Sequence, residues 1–317
     1  GYDSIPVNKK LNIEVAPVNR RQKFSGLMRG FLNGCGYFES VNISFIDNKT
    51  AQTFSQTDIE SHLGVKDELR KSANMLRQNL IGSLVGVMQT NYNARNIPCS
   101  VYEIADTFNP NPEPSATLPI EAAKVAVVSD GGLRSVRGVV EGLIRIANKT
   151  DDIKFVPADV KWAKAAAKVF VGDVGVGVCG LLQDGVANDF GLKGAEVCAA
   201  ELDFDSLEQF YGQIVKVKPI PRFPAITRDL SLIVDENIRW SDIESVVSSK
   251  APNALEGIEF AGLYRGKPIP SGKKSITVSM RFRDDDGTLT HEAVDGFEKP
   301  LVDELVANIK AQIDRER

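Results

Sequence analysis

Between Tyr264 and Arg283 the chain carries six basic residues, Arg265, Lys267, Lys273, Lys274, Arg281 and Arg283, and no acidic one. Such a run suits phosphate neutralisation, and Tyr264 at its edge offers a face on which a base can stack. Ser275, inside the run, adds a hydroxyl that can both donate and accept a hydrogen bond. Together these are the parts of a single-stranded RNA contact. They are equally the parts of a solvated hairpin whose lysines protect a sheet edge. The run is a placed patch rather than a general property, because residues 216–317 hold 16 basic and 17 acidic side chains.

Other chemistry is scarce. Gly175, Gly177 and Gly180 (GVGVCG) match G-x-G-x-x-G literally. A dinucleotide site needs a strand before this motif, a helix opening within it and an acidic residue about 20 positions on. Here Val176, Val178, Leu181 and Leu182 continue as strand, so the glycines read as close-packing positions of an antiparallel strand or hairpin. His62 and His291 fall in different predicted domains, which argues against a histidine triad or a multi-histidine metal site. Both read as surface or helix-start residues. Asp284, Asp285 and Asp286 before Gly287 lack the alternation and the terminal Glu of a calcium loop, and read as a hairpin turn. Cys35, Cys99, Cys179 and Cys198 form no Cys-x-x-Cys pair and read as reduced, mostly buried residues. No catalytic residue and no metal ligand is assigned.

The elements that must position the basic run come last in the chain. Prolines 219, 221 and 224 mark an extended connector, which places a domain boundary at 215/216. Beyond it the patterning predicts strand 228–234, helix 241–249, strand 255–264, strand 274–283, a helix from about His291 and a short strand near 310–315. That order is βαββαβ, the ferredoxin-like unit. Before it, apolar spacing predicts helices over 20–35, 72–95 and 135–147. Strands are expected at 41–45, 101–108, 124–129, 169–182 and 197–204. A loop with four prolines, NPNPEPSATLP, separates the second and third of these strands. Gly82 and Gly86 share one face of the second helix and imply a close backbone approach, either to another subunit or within the domain. The fold class is α+β with a mainly antiparallel sheet.

Composition agrees with two soluble globular domains: 317 residues, 43% hydrophobic and 25% charged, with a net charge of −4. That balance excludes a polycationic nucleic-acid wrapper. No apolar run approaches the roughly 18 residues of a membrane span and no signal peptide is visible, so a cytoplasmic protein is expected. The start at GYDSIP without Met suggests a fragment of a longer protein.

The stretches RFPAITRDLSLIVDENIRWSDIESVV (222–247), LYRGKPIPSGKKSITVSMRF (263–282) and GTLT (287–290) resemble the ferredoxin-fold anticodon-binding domain of the bacterial phenylalanyl-tRNA synthetase β-subunit family. Upstream, GYDSIP (1–6) resembles the end of the preceding tRNA-contacting module. NMLRQNLIGSLVGVMQTNYNAR (74–95) with VYEIADTF (101–108) resembles the family's catalytic-like module. The likeness spans essentially the whole chain, with several motifs in the right order.

The resemblance implies a non-catalytic class II synthetase-like core domain at 1–215 and an anticodon-binding domain at 216–317. It implies an α2β2 heterotetramer with the catalytic α subunit, which uses ATP and magnesium to attach phenylalanine to its tRNA. The chain itself would hold no cofactor and contact neither DNA nor membrane. Tyr264 and Ser275 match the family's anticodon-contacting aromatic and serine. Ala261 and Gly262 stand where the family has Phe-Asp, which removes an acidic partner for a base. Glu103 has no adenylate-gripping Arg two residues before it, and the Gly-rich, Arg-ended third class II motif is not visible. The helices at 20–35 and 72–95 are the candidates for a subunit interface. Two other readings stay open: a structural scaffold that no longer reads RNA, and an autonomous ATP-dependent ligase.

Overall fold

The computed structural model describes residues 1–6, 17–55, 62–65, 72–113, 118–149, 152–212 and 219–314. The chain divides into two compact units, Gly1–Lys216 and Val217–Arg317. The expected boundary at 215/216 and the start of the proline-rich connector lie outside the described residues, as does Arg315 of the expected last strand.

In chain order the first unit contains a 3-10 turn (Tyr2–Ser4), α1 (Arg20–Gly34), β1 (Phe38–Glu39), β2 (Phe45–Ile46), α2 (Asn48–Phe54), β3 (Met75–Leu76), α3 (Ile81–Asn93), β4 (Ser100–Asn109) and β5 (Ile120–Ser129). It continues through α4 (Leu133–Ala147), β6 (Ile153–Ala158), β7 (Ala163–Val171), β8 (Val174–Leu182), α5 (Asp184–Asp189), β9 (Cys198–Asp203) and α6 (Phe204–Phe210). Seven strands form one sheet in the order β1-β4-β5-β9-β8-β7-β6. Only the short β1–β4 pair is parallel; the other pairs are antiparallel.

Alternation along β5 explains why both faces are covered. Val125 and Val127 enter a core with Phe24, Met28 and Leu32 of α1, Val136, Val140 and Leu143 of α4, and Phe204 of α6. Ala126 and Val128 enter a second core with Phe54 of α2 and Ile81, Leu84, Val85 and Met88 of α3. A sheet apolar on both faces must be sandwiched. Asn19 starts α1 by accepting the Gln22 amide at 3.1 Å, and Phe24, Met28 and Leu32 at i, i+4, i+8 form its buried stripe.

Several sequence expectations are corrected. The helix expected over 72–95 begins at Ile81, because residues 75–76 pair as β3 with β2. Of the strand expected over 41–45 only Phe45 enters a strand, β2, while Val41 and Ile43 stay 91% and 73% exposed. The strand expected over 169–182 is a hairpin of β7 and β8 turning at Gly172, with φ +58°. Its glycines are indeed contact positions: a Cβ on Gly180 would lie 2.8 Å from the Ala165 carbonyl, and one on Gly177 would strike the Glu201 carbonyl. Gly82 packs within the domain, since a Cβ there would lie 2.5 Å from the Thr50 methyl, whereas Gly86 faces open space. Asp284–Asp286 forms no hairpin turn; it links a strand that ends at Phe282 to a helix that begins at His291.

The second unit contains β10 (Ile226–Asp235), α7 (Trp240–Ser249), β11 (Leu255–Tyr264), β12 (Lys273–Phe282), α8 (His291–Ile309) and β13 (Gln312–Asp314). The βαββαβ order yields an antiparallel sheet, β11-β12-β10-β13. Leu230, Leu232 and Val234 of β10 and Ile276, Val278, Met280 and Phe282 of β12 alternate onto one face. There they pack with Ile243 and Val247 of α7 and Val294, Leu301 and Leu305 of α8. Among the described residues no helix covers the other face. His291 opens α8 behind its cap, Thr290, as expected for a helix-start residue. No described helix is long and apolar enough to cross a membrane.

Candidate nucleic-acid interface

The uncovered face of the second unit is built in cross-strand rows. Tyr264 of β11 stands opposite Ser275 of β12, which stands opposite Ile233 of β10. In the next row Gly262 faces Thr277, and Thr277 faces Ser231. Beyond a bulge between Phe260 and Gly262, the third row is Glu259, Ser279 and Asp229. Side chains of directly opposed residues share a face. The faces are told apart by burial: the alternate positions Leu230, Leu232, Ile276 and Val278 are core.

Tyr264 is 39% exposed, and its hydroxyl donates to the Lys267 carbonyl at 2.8 Å. Gly266 makes this closure possible. Its φ is +130°, and a Cβ there would come 3.3 Å from the Tyr264 hydroxyl. Ser275 is only 7% exposed. Thr277 and Ser231 are half-buried, with their hydroxyl oxygens 3.1 Å apart.

The basic run is less free than its sequence suggests. Arg265 pairs with Glu236 through Nε at 2.8 Å and through a second contact from Nη2. That pairing lowers the carboxyl of Glu236 and raises the guanidinium of Arg265 from their ordinary values. Lys273 lies 3.8 Å from Asp235, and Lys274 donates to the Glu236 carbonyl at 2.8 Å. Arg281 and Arg283 share Glu256, at 2.8 and 3.2 Å. Arg283 also donates to the Phe223 carbonyl at 2.7 Å, and its side chain is 13% exposed. By strand alternation Lys273 and Arg281 share the Tyr264 face, Lys274 falls on the opposite face, and Arg265 and the exposed Lys267 lie in the β11–β12 connection. Exposed pairs of this kind are worth about 0–1 kcal/mol, so a guanidinium can exchange its carboxylate for a phosphate at small cost.

The first unit holds a polar cluster that the sequence reading did not single out. Arg77, 2% exposed, places Nη1 3.0 and 3.1 Å from the two carboxylate oxygens of Glu103. Asn42 donates its backbone N–H (3.0 Å) and Nδ2 (2.8 Å) to the same carboxylate, and Arg77 Nε donates to the Asp106 carbonyl at 3.2 Å. Ala126 of β5 lies between Glu103 and Glu201 in register. Glu201 accepts the Leu80 amide at 2.6 Å. Burial pushes its carboxyl up to about 7, opposed by that amide and by the charges of Lys124 and Arg77. The only local signal for Arg77 was its place in NMLRQN. Its guanidinium is spent on Glu103 rather than presented outward. Among the described residues no group of three or more His, Cys, Asp or Glu side chains could hold a metal ion. Cys99, Cys179 and Cys198 are buried and Cys35 exposed, all as free thiols.

Comparison with known proteins agrees with the two folds. The phenylalanyl tRNA synthetase beta chain CLM domain matches residues 7–204, and the ferredoxin-fold anticodon binding domain matches residues 221–314. The phenylalanine–tRNA ligase beta subunit of Clostridium acetobutylicum is 25% identical over 99% of this chain and 40% of its own length. That of Lactococcus lactis is 27% identical over 98% and 40%. The Rhodopirellula baltica subunit is 26% identical over 99% and 47%. The chain thus spans less than half the length of these relatives. A matched CLM core followed by a matched anticodon-binding fold, on two units with the expected topologies, places the chain in the phenylalanyl tRNA synthetase beta chain family.

Proposed function

We propose that this chain works as the C-terminal part of a phenylalanine–tRNA ligase β subunit, contacting the anticodon region of tRNA-Phe through the uncovered face of its second unit. The observation that carries this reading is the exposed, anchored Tyr264 on a sheet face that no helix among the described residues covers. A loop base stacks on the ring, and neighbouring hydroxyls bond its edge. Arg265, Lys273 and Arg281 supply phosphate partners by exchanging their carboxylates, and the exposed Lys267 adds another from the β11–β12 connection, while Arg283 chiefly braces the sheet end and Lys274, on the opposite face, adds positive charge at the strand start. Ser275 supports the Tyr264 row.

The first unit, residues 1–215, is a non-catalytic class II-like core that assembles with the catalytic α subunit in a cytoplasmic α2β2 heterotetramer, and α1 and α3 are the interface candidates. ATP and magnesium serve the whole enzyme.

The test is co-expression with the α subunit of the same genome, light scattering of the purified complex, and titration with a tRNA anticodon stem-loop. A heterotetramer that binds the stem-loop is expected, and Tyr264→Ala should weaken binding by about 1–3 kcal/mol. Unchanged affinity in a folded Tyr264→Ala variant refutes the stacking role. A second reading, a scaffold that does not read RNA, is favoured by the carboxylate partners of Arg265, Lys273, Arg281 and Arg283. A heterotetramer indifferent to the stem-loop would select it.

A further inference from the structure

Within that anticodon reading, on which this inference rests, the register of the uncovered face points to a residue that selects the base. Ser275 is directly beside Tyr264 but is 7% exposed, flanked in its row by Tyr264 and Ile233. A hydroxyl so enclosed offers little to an incoming base. One row along, Gly262 contributes no side chain, and an added Cβ there would meet nothing within 4 Å. The result is a gap beside the Tyr264 ring. Its floor is Thr277, half-buried and opposite Gly262.

Thr277 does not stand alone. Its Oγ1 lies 3.1 Å from Ser231 Oγ, so one of the two hydroxyls donates to the other. The pair then keeps one O–H and spare lone pairs for a third partner. This mutual bond fixes the rotor before any ligand arrives. The next row closes the gap with carboxylates, since Asp229 and Glu259 flank Ser279 and both are exposed. Two carboxylates disfavour a phosphate there. What enters the gap must be the base and not the backbone.

We propose that Thr277 reads the edge of the base stacked on Tyr264 through the gap at Gly262, with Ser231 as the residue that positions its hydroxyl. The ligand class is an unpaired base of a single-stranded RNA loop. Stacking on Tyr264 tolerates any base, because every base has a π face. Discrimination comes from Thr277, because an edge that cannot complement its hydroxyl leaves that group unpaired. The expected discrimination is about two- to tenfold, the worth of one neutral hydrogen bond.

The experiment uses the full chain, alone and in complex with the α subunit. It is titrated with labelled anticodon stem-loop RNAs in which each loop base is changed in turn to the other bases and to an abasic site. The wild-type chain should show one loop position with both an abasic penalty and a base preference. Thr277→Val, which keeps shape and strand propensity, should erase the preference there while keeping the abasic penalty. Ser231→Ala should reduce the preference partially. Gly262→Val should erase it by filling the gap, and Tyr264→Ala should remove the abasic penalty itself. A folded Thr277→Val variant with wild-type preferences overturns the inference, as does loss of preference in Ser275→Ala but not in Thr277→Val. A wild-type complex that binds none of the stem-loops instead refutes the anticodon reading beneath it.

Discussion

Replacing Arg77 with Met leaves the Glu103 carboxylate, among the described residues, with the two Asn42 donors and strips the Asp106 carbonyl of its guanidinium partner. Both side chains of the ion pair are at most 3% exposed, so water cannot take the place of the lost charge. Breaking such a pair from one side costs about 3–5 kcal/mol. Each kcal/mol lowers the melting temperature by about 2–4 °C in a domain of 150–250 residues. The first unit is in that size range, so Arg77→Met should lower its melting temperature by about 6–20 °C. Glu103→Met should cost a similar amount. The double variant removes both charges and should fall short of the summed costs by at least about 2 kcal/mol. Urea denaturation of the four proteins at two salt concentrations measures this coupling, which burial should leave largely unscreened. If the two substitutions add to within about 0.5 kcal/mol, the pair is not the buried unit described and the reasoning fails.

Three further outcomes concern the same unit. Glu201 has a folded-state pKa of about 7 against an ordinary 4.5, so the folded chain holds a proton that the unfolded chain has lost. Its contribution is fully present below about pH 4.5 and disappears as pH rises through about 7, a swing on the order of 3 kcal/mol. Glu201→Gln should flatten that part of the stability–pH curve, and an unchanged slope would assign the titration elsewhere. Gly177→Ala drives a Cβ into the backbone of β9 and should destabilise by about 3 kcal/mol or more. Gly86→Ala, on an open helix face, should stabilise by about 1 kcal/mol, and thermal melts of the two variants compare them directly.

What could be read from sequence follows from where each signal was generated. The βαββαβ unit was legible because its alternation and its connecting helices are local, and strand 255–264 fell on β11 itself. Where a distant partner decides, the local pattern misleads. Leu76, Leu80, Leu84 and Met88 repeat at helical spacing, yet Arg77 is held in β-like surroundings by Glu103, 26 positions later, and its carbonyl accepts the Phe108 amide. The start of β7, Ala163 to Lys168, favours helix by composition and becomes strand only between β6 and β8. The partners of the basic run were hidden in the same manner. Asp235 and Glu236 sit at and just beyond the end of β10 and Glu256 at the start of β11, so the carboxylates that face the run are absent from any window drawn around it. Thr277 went unnoticed because its importance lies in facing a glycine, which only the register reveals.

The bond from the Tyr264 hydroxyl to the Lys267 carbonyl has a thermodynamic consequence for recognition. A free surface tyrosine samples several rotamers and surrenders that freedom when a base lands on it. Here the ring is tied down by its own tip, with Gly266 set close beneath, so the ordering cost has been settled during folding. A loop base would therefore meet a plate already in position. Tyr264→Phe keeps every π contact but releases the tether, which converts a pre-set stack into one that must be assembled at each encounter.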